Sequence, residues 1–440
     1  MVRRARLADG RAGRRRGCCR MRIDLDAPDI DWNGWERRGM SGLISGNAVV
    51  AQGGGPTAVI NQSLVGVVEG VRGVREIGKV YGARHGVRGV LDEDLIELQD
   101  VPGEVLERVA GTPSAGLGST RDKPDEAYCR KLFDVFKKRD VRYFFYIGGN
   151  DSSDTCRIVN DLADDAGHEL RCFHVPKTVD NDLMENDHTP GYASAARYVA
   201  MAFAGDNLDN ASIPGVKINV VMGRHAGFLT GAAALMREGE GDGPHLVYVP
   251  ERTLELEKLL ADARACVEKH GRCQIAVSEG VRDASGESIG ARLIKGEADA
   301  HGNVQLSGSG ALGDSLAQFL KENLPKADGK AVRVRADTLG YAQRCWPDPS
   351  VVDQREARGA GRRAAEIAMS GDVDGSIAIT RKSSSPYEAE LVRVDLSAVA
   401  AKTRHMPDEF IAAGGNDVTP AFVEWLRPLV GELPVMGRLG

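Results

Sequence analysis

Short apolar runs alternate with helical patterns along most of this chain. The runs at 141–147 and 172–175 are almost continuously apolar, which is typical of parallel strands covered on both faces. Each is followed by a segment with helical spacing of its apolar residues. This alternation of strands and helices predicts an α/β protein built in two lobes.

The pattern predicts the main elements one by one. Strands are expected at 48–51, 141–147, 172–175, 216–221, 245–249, 274–278 and 333–339. Helices are expected at 58–71, 191–204, 254–269, 312–324, 353–369 and 421–428. Residues 81–89 carry three glycines and predict an irregular loop. The segment after 375 mixes short strands with a helix and predicts no chemistry of its own.

Composition excludes several classes of protein. The 440 residues carry a net charge of −6, which gives no reason to expect a nucleic-acid surface or a basic membrane-binding face. No apolar run approaches the roughly 18–20 residues needed to span a bilayer. The eight cysteines are scattered without metal-ligand spacing, a usage that fits a reducing compartment. We therefore expect a cytoplasmic enzyme with no nucleic-acid or membrane partner.

The first 43 residues differ from the rest. Eight arginines lie within the first twenty positions, where Asp9 is the only acid. Such a segment cannot bury apolar surface, so residues 1–43 are expected to form a disordered extension. An arginine-rich transit peptide and a translation start at Met40 are both conceivable, and the absence of serine from residues 1–39 favours the second.

The loop that follows the predicted strand 172–175 carries the densest chemistry. Lys177, Thr178, Asp180 and Asp182 come directly after it. In an extended backbone residues i and i+2 point the same way, so both carboxylates and Thr178 are expected to face one pocket. One carboxylate can take a proton from an attacking hydroxyl while the other holds a hard divalent cation. A solvated turn is the simpler interpretation for such a segment taken alone.

Glycine-rich turns follow two other predicted strands. Residues 52–57 and 148–152 each separate a strand from a helix, the layout that points backbone N–H groups and a helix N-terminus at an anion. The spacing is not that of a dinucleotide fingerprint, so NAD is not indicated. Tight packing alone also explains such glycines. Because carboxyl ends of neighbouring parallel strands meet at one sheet edge, these turns are expected beside the aspartate loop.

Six blocks of the sequence, in order, resemble the phosphofructokinase family, in particular its pyrophosphate-dependent branch. They are residues 54–61, 148–152, 176–182, 222–224, 250–251 and 340–344. The resemblance covers about 48–369 and implies two doubly wound, Rossmann-like lobes with mostly parallel sheets and an active site in the cleft between them. It further implies Mg²⁺-assisted, reversible transfer of a phosphoryl group to the 1-hydroxyl of fructose 6-phosphate.

The resemblance also implies a division of the chain. Residues 44–185 would form the lobe that binds the phosphoryl donor, completed by part of about 345–375. Residues 186–344 would form the lobe that binds the sugar phosphate. Residues 376–440 would pack on the lobes as a C-terminal segment.

Roles follow for residues that match the family's motifs. Asp180 aligns with the general base and Asp182 with a carboxylate serving magnesium. Thr178 would contact the transferred phosphoryl group, and Arg121 and Arg224 would steady the charge as it moves. The sugar phosphate would be held by Met222, Gly223, Glu251, Tyr341 and Arg344, with Arg335 and Lys217 reaching in from a neighbouring subunit. Shared sites of that kind imply a homodimer or homotetramer.

The donor is predicted from two residues. Members that use ATP have glycines where this chain has Asp151 and Lys177. A carboxylate at Asp151 places volume and negative charge where the α-phosphate of a nucleotide would lie, while Lys177 offers a cation to a compact diphosphate. Pyrophosphate is therefore the expected donor, bound by these two residues and by Gly54, Gly55, Gly149 and Asn150.

At two positions the chain departs from the pattern of the family that it resembles. Asn150 replaces an aspartate that many relatives use near magnesium, so the metal is expected to rely on Asp182 and Asp151. Gly215 stands where relatives commonly have an arginine, and Lys217 would take over the role of that arginine.

The sequence leaves two rival functions. An ATP-dependent 6-phosphofructokinase is one rival. A non-catalytic subunit that senses a sugar phosphate is the other, although it would be expected to lack Asp180 or Asp182.

Overall fold

The computed structural model of the chain describes residues 43–290, 310–325, 331–371 and 373–437. The expected N-terminal extension therefore lies, but for its last residue, outside the described part. Throughout the described ranges, no helix combines the length and the apolar character that crossing a bilayer demands.

The larger sheet has seven strands. They are β1 (Gly46–Gln52), β2 (Ile77–Ala83), β3 (Leu95–Glu97), β4 (Val141–Gly148), β5 (Arg171–Pro176), β10 (Gly375–Ser384) and β11 (Tyr387–Val394), in the order β11-β10-β5-β4-β1-β2-β3. The five inner strands are parallel, and β3 and β11 pair antiparallel at the two edges. The inner strands are buried on both faces, which explains their continuous apolar sequences.

The smaller sheet has four parallel strands. They are β6 (Val216–Val221), β7 (Leu246–Tyr248), β8 (Cys273–Ser278) and β9 (Val334–Thr338), in the order β7-β8-β6-β9. The predicted α/β class with mostly parallel sheets is thus confirmed.

Helices connect the strands as the pattern predicts. They are α1 (Ile60–Val71), α2 (Val87–Leu91), α3 (Gly103–Ala110), α4 (Glu126–Lys138), α5 (Asn150–Asp165), α6 (Tyr192–Ser212), α7 (Phe228–Gly231), α8 (Leu256–His270), α9 (Ala311–Asn323), α10 (Val351–Ala368), α11 (Leu396–Val399) and α12 (Pro420–Leu426). Helix α10 packs on α1 through Gly361 and Gly66, where any Cβ would overlap the backbone of the other helix. Residues 351–368 thereby join the larger sheet's helical layer.

The prediction of an irregular loop at 81–89 is wrong at both ends of that segment. Its first residues belong to β2, and its last three begin α2. Gly82 hides the strand in the sequence, but its missing side chain makes room for Leu117 and Leu98, since a Cβ there would lie 2.7 Å from Leu117 Cδ2. A glycine that weakens a strand signal in sequence can thus mark a close approach in the fold.

Candidate active site

Three loops meet at the carboxyl edge of the larger sheet. β1, β4 and β5 are adjacent, with Gln52 opposite Ile147 and Gly148 opposite Pro176. The glycine turn after β1, the start of α5 after β4 and the loop after β5 therefore begin side by side. The predicted meeting of the two glycine turns with the aspartate loop is confirmed.

The loop after β5 is held in a fixed shape. Val179 packs into the apolar core, whereas Thr178 and Asp180 face the cleft, and the backbone N–H of Asp180 donates to Thr178 Oγ1 at 3.1 Å. The chain then turns at Asn181, whose φ of 58° lies in the left-handed region that asparagine tolerates. Because of this turn the loop is not simply extended, yet Asp180 and Asp182 still lie close together.

The two carboxylates influence each other's ionisation. Burial, and then the charge of Asp180, raise the pKa of Asp182 to about 7. Burial also raises the pKa of Asp180, although the guanidinium of Arg344 opposes the shift. Two carboxylates this close do not both ionise readily unless a cation joins them.

The same corner leaves oxygen atoms without partners. Oδ1 of Asp180 and Oδ1 of Asn150 are buried and accept no hydrogen bond from any residue that the structure describes, while Asn150 Nδ2 donates to Asp182 Oδ2 at 3.2 Å. Carboxylate and amide oxygens are the ligands that Mg²⁺ prefers. The residues present therefore fit a magnesium ion.

Lys177 is buried against the glycine turn. Its ammonium donates to the carbonyl oxygen of Gly55 at 2.7 Å, and it is only 3% exposed. Burial, with Arg344 adding to it, lowers the pKa of Lys177 to about 8, and Asp180 and Asp182 oppose that shift. The ammonium is thus a poorly solvated group directed at the glycine turn after β1.

The glycine turn itself has no room for side chains. A Cβ on Gly54 would lie 3.2 Å from Lys177 Nζ, and Gly54 also has a φ of 74°. A Cβ on Gly55 would lie 2.9 Å from Arg344 Cζ. Both glycines are required for the two cations to approach the turn.

Asp151 lies in the first turn of α5, and among the described residues its carboxylate pairs with Lys123 and not with the carboxylate pair. Its carboxylate is 3.7 Å from Lys123 Nζ, and its side chain is 65% exposed. Asn150, and not Asp151, contacts Asp182. The structure therefore brings Asp151 to the donor edge without bringing it into hydrogen-bonding contact with its predicted metal partner.

A second group of predicted residues lines a cavity of about 440 Å³ next to the smaller sheet. Arg224 follows β6, and Glu251 follows β7. The lining carries three arginines and two acids and consists of Arg224, His225, Pro250, Glu251, Arg252, Arg282, His405, Met406 and Asp408. A cavity with this lining is suited to an anionic ligand of small size.

Glu251 keeps one oxygen free inside the cavity. Oε1 accepts from the backbone N–H groups of Gly227 at 2.9 Å and Met406 at 2.8 Å, whereas Oε2 is buried and has no partner within the described ranges. Burial raises the pKa of Glu251. An unpartnered carboxylate oxygen in such a place can accept a hydrogen bond from a ligand hydroxyl.

Met222 and Gly223 connect β6 to the cavity residue Arg224. Met222 is buried and its N–H donates to Gln343 Oε1 at 3.2 Å. Gly223 has a φ of 129°, and its carbonyl accepts from Ser278 Oγ at 2.5 Å. These bonds fix the direction in which the chain leaves β6 and hence the position of Arg224.

Arg344 links the two halves of the site. Its guanidinium stacks over the ring of Tyr341 at 4.5 Å and reaches the glycine turn after β1. Burial, and then the charge of Arg121, lower its pKa. Arg121 and Arg344 thus lie close enough to Lys177 to form one region of positive charge.

Two predicted residues lie elsewhere. Lys217 and Arg335 are paired in register on β6 and β9, and Lys217 forms ion pairs with Asp206 and Asp337. Lys217 is five residues before Met222, which in a strand corresponds to about 16 Å. Within one chain they do not join the cavity, and Arg335 is exposed.

The prediction that residues after 375 carry no chemistry is wrong. His405 and Met406 line the cavity, and the backbone N–H of Arg404 donates to the carbonyl of Asp182 at 2.8 Å. The guanidinium of Arg404 donates to the carbonyl of Asp187 at 2.7 Å. Nothing in the local sequence distinguishes these residues, because their role arises from long-range packing.

A buried charged network supports the aspartate loop from behind. His188 contacts Asp187 at 2.8 Å and Glu356 of α10 at 2.6 Å, and Arg381 bonds Asp187 in turn. Burial opposes the charge on His188, but Glu356 and Asp187 outweigh it and raise the pKa of His188 to about 9. The network ties α10 to the segment that follows Asp182.

Comparison with known proteins agrees with this geometry. The family model described as Phosphofructokinase matches residues 47–368. A Rhodospirillum rubrum protein named pyrophosphate--fructose 6-phosphate 1-phosphotransferase is 55% identical over 392 residues, covering 89% of this chain and 95% of that protein. A protein of Alkalicoccus urumqiensis named sulfofructose kinase is 32% identical, over 88% of this chain and 96% of its own.

A solved structure of a family member shares the fold of this chain. The pyrophosphate-dependent phosphofructokinase of Marinobacter aquaeolei superposes with a TM-score of 0.77 at 34% identity, covering 89% of this chain and 94% of that one. The family model extends over most of the chain and includes the aspartate loop, the glycine turns and the arginine at the cavity. The chain therefore belongs to the phosphofructokinase family.

Proposed function

We propose that the protein transfers a phosphoryl group reversibly from pyrophosphate to the 1-hydroxyl of fructose 6-phosphate, giving fructose 1,6-bisphosphate and phosphate in glycolysis and gluconeogenesis. The observation that carries the proposal is the meeting of the buried Asp180–Asp182 pair and the buried Lys177 at one sheet edge. The name of the Rhodospirillum rubrum relative supports the same substrates.

Asp180 is the proposed general base. Its buried Oδ1 has no partner in the described part of the chain and is free to accept the proton of the sugar hydroxyl. Burial raises its pKa, which strengthens it as a base, while nearby cations, Arg344 first among them, favour its ionised form. Thr178 lies beside it with a hydroxyl suited to the transferred phosphoryl group.

Asp182 would hold magnesium together with Asn150. When bound, the ion would neutralise charge on the phosphoryl oxygens. The protein's own contribution is to keep the carboxylates close and to surround the transferred group with fixed cations. Arg121, Arg224 and Arg344 are the cations proposed for that role.

The donor side favours a compact diphosphate. Lys177 and Arg344 fill the space over the glycine turn, and Asp151 places an exposed carboxylate at the N-terminus of α5, where a nucleotide phosphate would otherwise bind. Gly149 precedes that helix N-terminus. A nucleoside triphosphate would have to displace a buried ammonium and approach a like charge.

The sugar phosphate would occupy the cavity next to the smaller sheet. Glu251 Oε2 would accept a sugar hydroxyl, and Arg224 would contact the group near the reacting centre. Lys217 and Arg335 would contribute from a second subunit of a homodimer or homotetramer, because neither lines the cavity of its own chain. Leu208 and Ile213 are exposed beside them and would be covered in such an assembly.

A reducing, cytoplasmic setting suits this function. Six cysteines in the described ranges are free thiols, and five of them are buried. Burial keeps the pKa of Cys156 and Cys172 well above the usual value, so both remain inert thiols.

The deciding experiment is a steady-state comparison of pyrophosphate and ATP at equal magnesium with fructose 6-phosphate as acceptor. We expect turnover with pyrophosphate to exceed turnover with ATP by at least about 100-fold in kcat/KM. The double variant D151G/K177G should lose pyrophosphate activity and gain activity with ATP. Preference for ATP in the unmodified protein would overturn the assignment of the donor.

A second part of the experiment tests which sugar accepts the phosphoryl group. Sulfofructose in place of fructose 6-phosphate is expected to give a lower kcat/KM, and the reverse order would move the protein towards the Alkalicoccus urumqiensis relative in substrate. If neither pyrophosphate nor ATP supports turnover, the result would favour the alternative function, a non-catalytic subunit that senses a sugar phosphate.

A further inference from the structure

Three consecutive residues of the C-terminal segment, 404–406, bond to loops of both sheets. The first donates its backbone N–H to the carbonyl of Asp182, in the loop after β5, at 2.8 Å. The second places its imidazole Nδ1 2.7 Å from the carbonyl oxygen of His225, which follows β6. The third donates its backbone N–H to Glu251 Oε1, after β7, at 2.8 Å. One tripeptide therefore ties the aspartate loop to two loops that line the cavity.

The side chain of Arg404 anchors this tripeptide. Its guanidinium donates to the carbonyl of Asp187 at 2.7 Å, and Cζ lies 4.7 Å from the ring centroid of Phe228, which is itself fully buried. Burial lowers the pKa of Arg404, and the carboxylate of Asp187 opposes that shift. Removing a cation from water is costly, and the hydrogen bond and the stacking on the ring offset that cost only in this one position. The side chain thus fixes where the backbone N–H of the same residue lies.

Both carbonyls that Arg404 binds belong to one short segment, 182–187. The far end of this segment is held by the larger sheet, because the backbone N–H of Asp187 donates to the carbonyl of Ile379 in β10 at 2.8 Å. The near end carries Asp182, whose carboxylate meets the amide of Asn150. Arg404 therefore links the end that carries the carboxylate to the end that the sheet holds in place.

We propose that Arg404 is a positioning residue that keeps the carboxylate of Asp182 where a divalent cation binds. The inference rests on the proposed function, in which Asp182 and Asn150 hold magnesium. Arg404 acts through the main chain of Asp182 and touches neither the cation nor the substrates. Partners that orient a metal ligand from outside the coordination shell typically account for about 10–100-fold in metal affinity. Loss of the guanidinium should therefore weaken cation binding in protein that is still folded.

The test measures cation binding to the full-length protein without turnover. Mn²⁺ prefers the same oxygen ligands as magnesium, and the paramagnetic resonance signal of the free ion reports its Kd. Asp182→Asn should abolish the site and so identify it. Arg404→Met, which removes the hydrogen-bond donors, should raise the Kd for Mn²⁺ by about 10–100-fold. Arg404→Lys can still donate to the Asp187 carbonyl but offers no planar group to Phe228, so a smaller rise of about threefold to tenfold is expected.

A matched control separates positioning from stability. Arg237 donates two hydrogen bonds, at 2.9 and 2.7 Å, to Asp417 of the same C-terminal segment. Arg237→Met should lower Tm and leave the Kd for Mn²⁺ unchanged. A folded Arg404→Met or Arg404→Lys protein whose Kd stays within about twofold of the wild type overturns the proposal, even if the other variant does not fold. So does a wild type in which Asp182→Asn removes no Mn²⁺ site. Turnover of the wild type with pyrophosphate tests the proposed function separately, and its absence would leave the comparison of Mn²⁺ affinities standing.

Discussion

Lys177 provides the sharpest test of the donor site. Its ammonium is buried, donates to Gly55 and lies between the carboxylate pair and Arg344. The perturbation is Lys177→Met, which keeps the length and apolar stem of the side chain and removes only the charge. With no other change in shape, the loss should appear in the binding and reaction of pyrophosphate.

The magnitude follows from Coulomb's law. Two unit charges about 4 Å apart at an effective dielectric constant of about 20 interact by about 4 kcal/mol. Since 1.36 kcal/mol corresponds to a tenfold change, K177M should lower kcat/KM for pyrophosphate by about 10²–10³-fold. The pKa of Lys177 near 8 adds a second signature. In the wild type, kcat/KM for pyrophosphate should fall as pH rises through about 8, because the ammonium of the free enzyme loses its proton.

The assay is the initial rate with varied pyrophosphate between about pH 6 and 10, at saturating fructose 6-phosphate and magnesium. Lys79→Met, which removes an exposed lysine paired with Glu97, is the matched control and should leave the profile intact. The alkaline limb of the wild type should be absent in K177M. A K177M enzyme that keeps that limb, or stays within threefold of the wild type, would refute the reasoning.

Three further expectations concern the carboxylates and the charged network. Asp180→Asn should lower kcat by about 10²–10⁴-fold with KM for fructose 6-phosphate little changed; a loss of only a few-fold in rapid-quench turnover would exclude it as the base. Because the pKa of Asp182 is raised to about 7, magnesium binding at pH 7 should release protons. Calorimetry in buffers of different ionisation enthalpy should detect this proton release in the wild type and much less of it in Asp182→Asn. The raised pKa of His188 stabilises the fold below about pH 6.5, and this stabilisation, on the order of 3 kcal/mol, should disappear as pH rises through about 9. Urea unfolding should therefore show a gap between wild type and His188→Gln that narrows over this range, and a constant gap would contradict the network.

The sequence was most informative where chemistry and local pattern coincide. The units β1, β4 and β5 combine continuous apolar strands with glycine or aspartate loops, so both the strands and their adjacency could be predicted. Parallel pairing then places the loops at one edge without any knowledge of side-chain packing. The close approach of Asp180 to Asp182 was predicted from their spacing, although the loop turns at Asn181 and is not extended as that argument assumed.

Other features depend on contacts that no local pattern encodes. Gly82 looked like a strand breaker until Leu117 was found against it. The exposed ion pair of Asp151 with Lys123, 28 residues earlier, is likewise a contact that the local sequence around Asp151 does not reveal. His405 reaches the cavity only because the C-terminal segment folds back across both sheets.

The same fold-back has a consequence for biosynthesis. Strand β10, which lies next to β5 in the larger sheet, and the cavity residues His405 and Met406 leave the ribosome long after the aspartate loop. Domains form during translation only once their elements have emerged. A nascent chain that already carries Asp180 and Asp182 would thus expose an unfinished sheet edge and an incomplete cavity until residues 375–406 had emerged.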